Sequence, residues 1–219
     1  RRFSHHRAHA AGAFYASGFD EALVVSHDGG GDDGTFCVFD IEKANVDFTP
    51  INEYISNPFS TKYSTLGRFI EEIRPLPGSP LRQRLQKNLH PMQSVPFAHR
   101  RVQDIDQSVA GKIMGLSAYG SLNKDFLERA LKYFRHSDEE NEECTPYGPA
   151  FWNNFGPLAF AGVKGSTAYD LAFSAQHAFE ECFLDIFREY FKVGHHKNVC
   201  LTGGGALNVV LNERLSKIY

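Results

Sequence analysis

The 219 residues include 42% hydrophobic and 22% charged side chains, the balance of an ordinary globular domain, and a chain of this length can bury a sizeable core. The net charge of −3 supplies no positive field for nucleic acid. The four cysteines are scattered without paired spacing, and neither a signal peptide nor an apolar run of about 18 residues occurs. We therefore expect a cytoplasmic protein without disulfides, with neither nucleic acid nor membrane as a partner.

The two ends and one internal stretch set the expected domain limits. The chain starts at Arg1 without a methionine and stops at Tyr219 inside a predicted helix. Residues 75–100 contain five prolines, a density typical of loops. We therefore expect a single domain over residues 1–219, incomplete at both ends, with a loop or insertion at about 75–105.

The first forty residues predict a helix followed by a β-hairpin. Ser4 is suited to be the N-cap of an alanine-rich helix over residues 5–17, and Gly18 would end that helix. Residues 22–40 contain two apolar stretches on either side of a glycine-rich tip at 28–34, which is the pattern of a hairpin.

The remaining sequence predicts further helices and one late strand. Three stretches have helical spacing: residues 63–73, 124–135 and 168–193. Gly194 stands where a glycine commonly ends a helix, residues 197–202 have the character of a buried strand, and a glycine turn at 203–205 leads into a final helix. Helix, strand, glycine turn and helix in this order indicate the α/β class.

Three histidines cluster at the start of the first predicted helix. Because residues i and i+4 share a helix face, His5 and His9 can both present a ring nitrogen to one metal ion, whereas His6 faces elsewhere. The spacing is similar to the metalloprotease HExxH motif, but His6 replaces the glutamate that would act as general base, which argues against a protease. Two imidazoles leave a site short of ligands, so we expect a carboxylate from elsewhere to complete it. Such a set suits iron(II), manganese or zinc.

The hairpin tip is a second candidate for chemistry. Gly29, Gly30 and Gly31 lack a β-carbon, so their backbone N–H groups could approach a phosphate closely. Asp28, at the end of a strand, could hold a metal or a ribose. The same string is also a strong signal for an exposed hairpin turn, and the residues alone leave both interpretations open.

The glycine turn between the last strand and the last helix is a third candidate. Gly203 and Gly204 stand at a predicted helix N-terminus, where free N–H groups and the helix dipole favour an anion. Asn208, about one turn into the predicted helix, could reach a ligand with both a donor and an acceptor. A tight turn without a ligand is the alternative interpretation.

Taken together, these segments resemble the NodU/CmcH-type O-carbamoyltransferases. The resemblance rests on five motifs in the family's order: residues 5–19, 22–32, 111–120, 170–176 and 201–212. It reaches both ends of the chain and is patchy between residues 41 and 105.

The resemblance implies an actin-like ATPase fold of the α/β class. It implies transfer of a carbamoyl group from carbamoyl phosphate, through a carbamoyl-adenylate, to a hydroxylated small-molecule acceptor. The reaction would depend on ATP and on iron(II) or another first-row divalent metal held by His5 and His9, with Mg²⁺ as a further candidate ion. In the family a downstream aspartate and a separate adenylate-forming domain complete the machinery, and neither matches these residues. We therefore expect the third metal ligand outside this chain and the chain alone to be inactive.

The resemblance also assigns roles to individual residues. The catalytic set would be His5, His9 and Asp28. The contacts to the nucleotide and its phosphates would be Asp28, Gly29, Gly30, Gly31, Lys112, Gly203, Gly204 and Asn208. Three consecutive glycines at 29–31 depart from the family, which often has a bulkier residue there, so the phosphate geometry stays open.

Two alternative functions share much of this pattern. A threonylcarbamoyl transferase acting on tRNA has the same fold and histidine pair, but the segment 111–120 and the absence of a basic surface favour the antibiotic-type family. A non-catalytic actin-like module would bind nucleotide without depending on metal. The sequence leaves the identity of the acceptor and the oligomeric state open.

Overall fold

A computed structural model describes residues 3–73, 108–136, 149–192 and 195–218. The predicted loop at about 75–105 and the predicted helix end at Gly194 lie outside the described residues. The described elements, in chain order, are α1 (His5–Ser17), β1 (Glu21–Gly31), β2 (Gly34–Glu42), α2 (Phe59–Leu66), α3 (Ser108–Ser117), α4 (Lys124–Arg135), α5 (Pro149–Ala161), α6 (Gly165–Tyr190), β3 (Val199–Thr202) and α7 (Val209–Ser216). This mixture confirms the predicted α/β class.

The chain divides into two units. The first unit holds the described residues of 1–60 and 180–219, and the second holds those of 61–136 and 145–179. In the part of the chain that the structure describes, no helix is long and apolar enough to cross a membrane.

The first unit is built on a sheet whose described strands have the order β2-β1-β3. β1 pairs antiparallel with β2 through the hairpin and parallel with β3. Residues 22–27 of β1 are all buried, as expected for a central strand covered on both faces. On one face, Phe14 of α1 packs against Val24 and Phe39. On the other, Phe36 makes an edge contact with Phe183 of α6.

The second unit has an aromatic core, in which Tyr133 of α4 contacts Phe151 and Phe155 of α5 and also the neighbouring Phe134. Asn123 caps α4, because its side chain accepts the Phe126 N–H. The resemblance segment 111–120 lies in this unit, partly on α3.

Several predicted element limits are confirmed and others are wrong. The helix at 5–17 is confirmed, ending at Gly18 in the left-handed conformation with φ of 73°, and the helix at 124–135 is confirmed as α4. The helix predicted at 63–73 instead ends at Leu66 and continues as two short 3₁₀ turns. The first of these turns starts at Gly67, which packs so closely on Val109 that a β-carbon would lie 2.5 Å from that side chain.

The C-terminal elements also differ from the prediction in their limits. The long helix predicted over 168–193 is α6, which begins at Gly165 and ends at Tyr190. The predicted strand at 197–202 is shorter, Val199–Thr202. A 3₁₀ turn, Gly204–Leu207, precedes the last helix, so α7 begins only at Val209.

Candidate metal centre

The strand ends bring the histidine helix and both glycine segments together. β1 and β3 run parallel, with Ser26 opposite Thr202, so their carboxyl ends lie at the same edge of the sheet. β1 continues there to Asp28, and β3 leads into Gly203. The first turn of α1 contacts the same edge through the hairpin tip.

His5, His9 and Asp28 converge at this edge. The Nε2 atoms of His5 and His9 each lie 3.2 Å from Asp28 Oδ2. The three side chains are half-buried, with exposures of 38%, 35% and 26%, so they can be reached by a ligand from solvent. Their donor atoms all lie within 4.8 Å of one another. Such spacing fits nitrogen and oxygen ligands bound at about 2.1 Å to one divalent ion.

The third donor of this set comes from inside the chain. The sequence places the completing carboxylate outside these residues, whereas the structure offers Asp28 within them. In the sequence, the position of Asp28 at the end of a strand was the feature that marked it as a possible metal ligand. Its distance from the histidines depends on how α1 packs on the hairpin, and residue spacing in the sequence does not predict that packing.

Asp28 is held in place by backbone amides. Its Oδ1 accepts the Gly29 N–H at 2.7 Å, and the Gly204 amide donates to the same carboxylate. Burial by itself raises the pKa of Asp28, but these two hydrogen bonds and one from His5 outweigh it and leave the pKa below its usual value. The carboxylate is therefore ionised at neutral pH and has a fixed direction, as a metal ligand requires.

The hairpin turn itself fixes the start of α1. The His5 N–H donates to Asp32 Oδ1 at 2.7 Å, and the His6 N–H donates to the Asp33 carboxylate at 3.0 and 3.1 Å. Ser4 stands at the predicted N-cap position but makes no capping hydrogen bond with its side chain. Two aspartates of the tip thus satisfy the first amides of the helix and orient the histidine pair.

The glycines of the tip differ in what surrounds them. β1 extends to Gly31, with an irregularity in its pairing between His27 and Gly31, so these glycines belong to a strand end rather than to the turn. A β-carbon on Gly31 would lie 2.9 Å from the His5 side chain, whereas one on Gly30 would meet nothing within 4 Å. Gly29, Gly30 and Gly31 are all exposed, and their phosphate contacts stay a prediction.

His6 is a structural residue of this centre. Its side chain is fully buried, Nε2 donates to the Gly34 carbonyl at 3.0 Å, and Nδ1 lies 2.7 Å from Ser26 Oγ. Because a carbonyl only accepts, Nε2 carries the proton and Nδ1 accepts the Ser26 hydroxyl. Burial lowers the pKa of His6, which keeps this neutral tautomer. As predicted, His6 is not one of the three grouped donors, because its two ring nitrogens bond Ser26 of β1 and Gly34 of β2 and so fasten α1 to both strands.

The second glycine segment packs directly on the end of β1. Gly203 has φ of 85°, and a β-carbon there would lie 2.4 Å from the His27 carbonyl oxygen. A β-carbon on Gly205 would lie 2.4 Å from His27 Nδ1. This close approach brings the Gly204 amide to Asp28 and explains why the sequence needs three glycines here.

His27 lies behind this contact in the interior. Its ring stacks on Phe59 at 4.4 Å between centroids, and Nε2 lies 2.5 Å from Ser60 Oγ. Complete burial lowers the pKa of His27 to about 3, so the imidazole is neutral across the physiological range. The histidine is therefore part of the framework that supports Asp28.

Asn208 and Lys112 are the two remaining residues predicted to contact the nucleotide. Asn208 is the N-cap of α7, where its Oδ1 accepts the Leu211 N–H at 3.0 Å, and not a residue one turn inside the helix. Lys112 is exposed on α3 and belongs to the second unit. Their roles as nucleotide contacts stay predictions.

Comparison with known proteins gives a family for the chain. The family model "Carbamoyltransferase N-terminus" matches residues 2–218. The chain is 28% identical over 218 residues to nodulation protein NolO of Bradyrhizobium diazoefficiens, and the alignment covers 97% of this chain and 33% of that protein. The chain thus spans about a third of the length of this curated relative. It belongs to the carbamoyltransferase N-terminus family.

Proposed function

We propose that this chain provides the transfer centre of an O-carbamoyltransferase on an actin-like fold. The enzyme would move a carbamoyl group from carbamoyl phosphate, through a carbamoyl-adenylate, to a hydroxylated small molecule, in a reaction that depends on ATP and metal. The observation that carries the proposal is the convergence of His5, His9 and Asp28 beside two glycine segments at one sheet edge.

His5, His9 and Asp28 would hold iron(II) or another first-row divalent ion. When bound, such an ion supplies a Lewis acid for a phosphate or carbamoyl oxygen. Asp28 contributes a carboxylate that two amides keep ionised and oriented, and α1 brings both imidazoles to it. The prior arrangement of the ligands means that little reorganisation is needed on binding.

The glycine segments would bind the nucleotide part of the donor. Gly30 and Gly31 offer exposed backbone at the end of β1, and Gly203 and Gly204 lie at the end of the neighbouring strand. Asn208 would contact the nucleotide in addition to capping α7, and the contact of Lys112 with a phosphate stays only an expectation from the resemblance. Together these groups would orient the adenylate and stabilise negative charge on its phosphate.

In the transfer step, the acceptor hydroxyl oxygen forms a bond to the carbamoyl carbon. The bond between that carbon and the adenylate phosphate oxygen breaks, adenosine monophosphate leaves with the bonding electrons, and the hydroxyl proton passes to solvent. The acceptor is a small molecule in this proposal, because a net charge of −3 gives no general attraction for tRNA.

The test follows labelled carbamoyl phosphate, with ATP and a panel of hydroxylated small molecules, in the chain and in any longer protein that contains it. We expect the longer protein to label a small-molecule hydroxyl and His9→Ala to abolish labelling. His136→Ala, a change at an exposed histidine outside the cluster, should leave labelling unchanged. Labelling of tRNA alone would contradict the proposal, and so would metal-independent nucleotide binding without any transfer.

A further inference from the structure

A second group of side chains of the types that bind metals, two histidines and an aspartate, lies at the opposite end of the same sheet. Asp40 is on β2, opposite Leu23 of β1, and Leu23 is in turn opposite Val199, the first residue of β3. His195 and His196 precede β3 by a few residues. All three side chains therefore flank the amino-terminal part of β1 at Leu23, five residues and about 16 Å from Asp28 at roughly 3.3 Å per strand residue.

The donor atoms of this group are close enough to share an ion. One donor from each of Asp40, His195 and His196 lies within 4.8 Å of the other two. His196 Nε2 is 3.5 Å from Asp40 Oδ2, and the two imidazole rings are 4.7 Å apart between centroids at an angle of 76°. These separations resemble those of His5, His9 and Asp28.

Burial supplies a second and independent observation. The His196 side chain is only 7% exposed, and its Nε2 is buried without a hydrogen-bond partner among the described residues. Buried polar atoms in folded proteins are nearly always satisfied, so an unsatisfied ring nitrogen aimed at a carboxylate calls for an explanation. The Asp40 side chain is 43% exposed and His195 is also exposed, which leaves the group open to solvent.

We infer that Asp40, His195 and His196 form a second site for a divalent metal ion, of the kind that Zn²⁺ prefers. Two imidazole nitrogens and one carboxylate oxygen would bind the ion, with a fourth position open to water. The site shares no residue with His5, His9 and Asp28. Its ion would join β2 to the segment before β3 across the amino end of β1, and so would stabilise the sheet.

Binding at this site has a specific cost. His196 Nδ1 accepts the Lys192 N–H at 3.2 Å, so in the metal-free protein the neutral ring carries its proton on Nε2. Coordination through Nε2 requires that proton to move to Nδ1, which breaks the bond to Lys192. Metal-binding histidines usually donate from the other nitrogen to an acceptor, and loss of such support weakens binding by about 10- to 100-fold. We therefore expect weaker binding here than at the first site.

The test is a zinc titration of the full chain with the first site removed by His5→Ala and His9→Ala. We expect about one Zn²⁺ per chain at saturation, with affinity at least about tenfold lower after a further His195→Ala or Asp40→Asn change. His136→Ala added to the same background is the matched control and should leave the affinity unchanged. Far-UV circular dichroism would verify that each variant is folded, and His195→Ala changes an exposed side chain.

A second readout separates a metal site from a simple histidine–carboxylate pair. Zinc should shift the Lys192 amide resonance in the starting variant and leave it in place after His195→Ala. No zinc binding in the starting variant would overturn the inference. Equal binding by all variants, or an unmoved Lys192 resonance at saturation, would do so as well.

Discussion

The two ends of one sheet carry similar donors in different settings. At the carboxyl end, Asp28 accepts hydrogen bonds from two backbone amides. Hydrogen bonds of the Asp33 carboxylate and of the His6 ring hold α1 against the hairpin. At the amino end, Asp40 is partly exposed, and the second nitrogen of His196 faces a donor instead of an acceptor. The same residue types thus form a preorganised group of donors at one end, and at the other a group in which the hydrogen bond between His196 and Lys192 must break before a metal can bind. The difference lies in the surrounding hydrogen bonds and not in the donors.

The largest expected effect is a loss of folding stability in acid, caused by the buried His27 near the carboxyl end of β1. The folded-state pKa of His27 is about 3, below its ordinary value of 6.5, so the unfolded chain binds more protons between these values. Stability from this group is fully present above pH 6.5 and is lost as the pH falls toward the folded-state pKa, with a limiting slope of about 1 kcal/mol per pH unit. Urea unfolding between pH 7 and pH 4.5 measures the slope. His27→Asn should lower stability at pH 7 and flatten the slope, and an unchanged slope would contradict the assignment.

A second prediction concerns the packing of the glycine turn. In Gly203→Ala the new β-carbon would meet the His27 carbonyl, at a backbone angle that other residues rarely adopt. We expect a loss of about 3 kcal/mol in the free energy of unfolding and weaker metal binding at the first site. Gly30→Ala, which meets nothing within 4 Å, is the matched control and should change stability by less than about 0.5 kcal/mol. Equal effects of both changes on chemical denaturation would disprove the packing argument.

A third prediction concerns the hairpin turn that orients the histidine pair. Asp33→Ala removes the acceptor of the His6 and Arg7 amides at the start of α1. We expect a loss of about 1 kcal/mol and a measurable decrease in first-site metal affinity. Asp20→Ala removes an exposed ion pair with Lys43 and should have almost no effect in either assay. If the two variants behave alike, the turn does not hold the helix.

The smallest expected effect on folding stability is that of a substitution at the amino end of the sheet's central strand, β1. Asp40→Asn should change the unfolding free energy of the metal-free chain by less than about 0.5 kcal/mol, because the carboxylate is partly exposed and has no close hydrogen bond to the facing histidine. The same change should leave first-site affinity unaltered. A large loss of stability without metal would mean that this end is as tightly organised as the other.

Local patterns in the sequence predicted the local structure well. The helix at 5–17 ends at Gly18 as expected, because a glycine with positive φ can reverse the chain there. The start of α7 was placed too early, since glycine, alanine and leucine suit a 3₁₀ turn as well as an α-helix, and Asn208 is the cap.

Contacts between distant residues were beyond the reach of sequence patterns. The spacing of His5 and His9 predicted two metal ligands. The position of Asp28 relative to them depends on hydrogen bonds between the helix and the hairpin turn. Asp40 and the pair His195–His196 are more than 150 residues apart in the chain, and only the strand order β2-β1-β3 brings them near one another.

The metal content of the purified chain tests the central claim most directly. The chain would be loaded with iron(II) without oxygen, passed over a chelating resin and measured by elemental analysis. We predict about one ion per chain in the unaltered protein and in Asp40→Asn, and none when His9→Ala or Asp28→Ala is added to the Asp40→Asn variant, which lacks a carboxylate of the second site. Retention of iron by those two variants, or its absence from the unaltered chain, would contradict a metal centre at His5, His9 and Asp28.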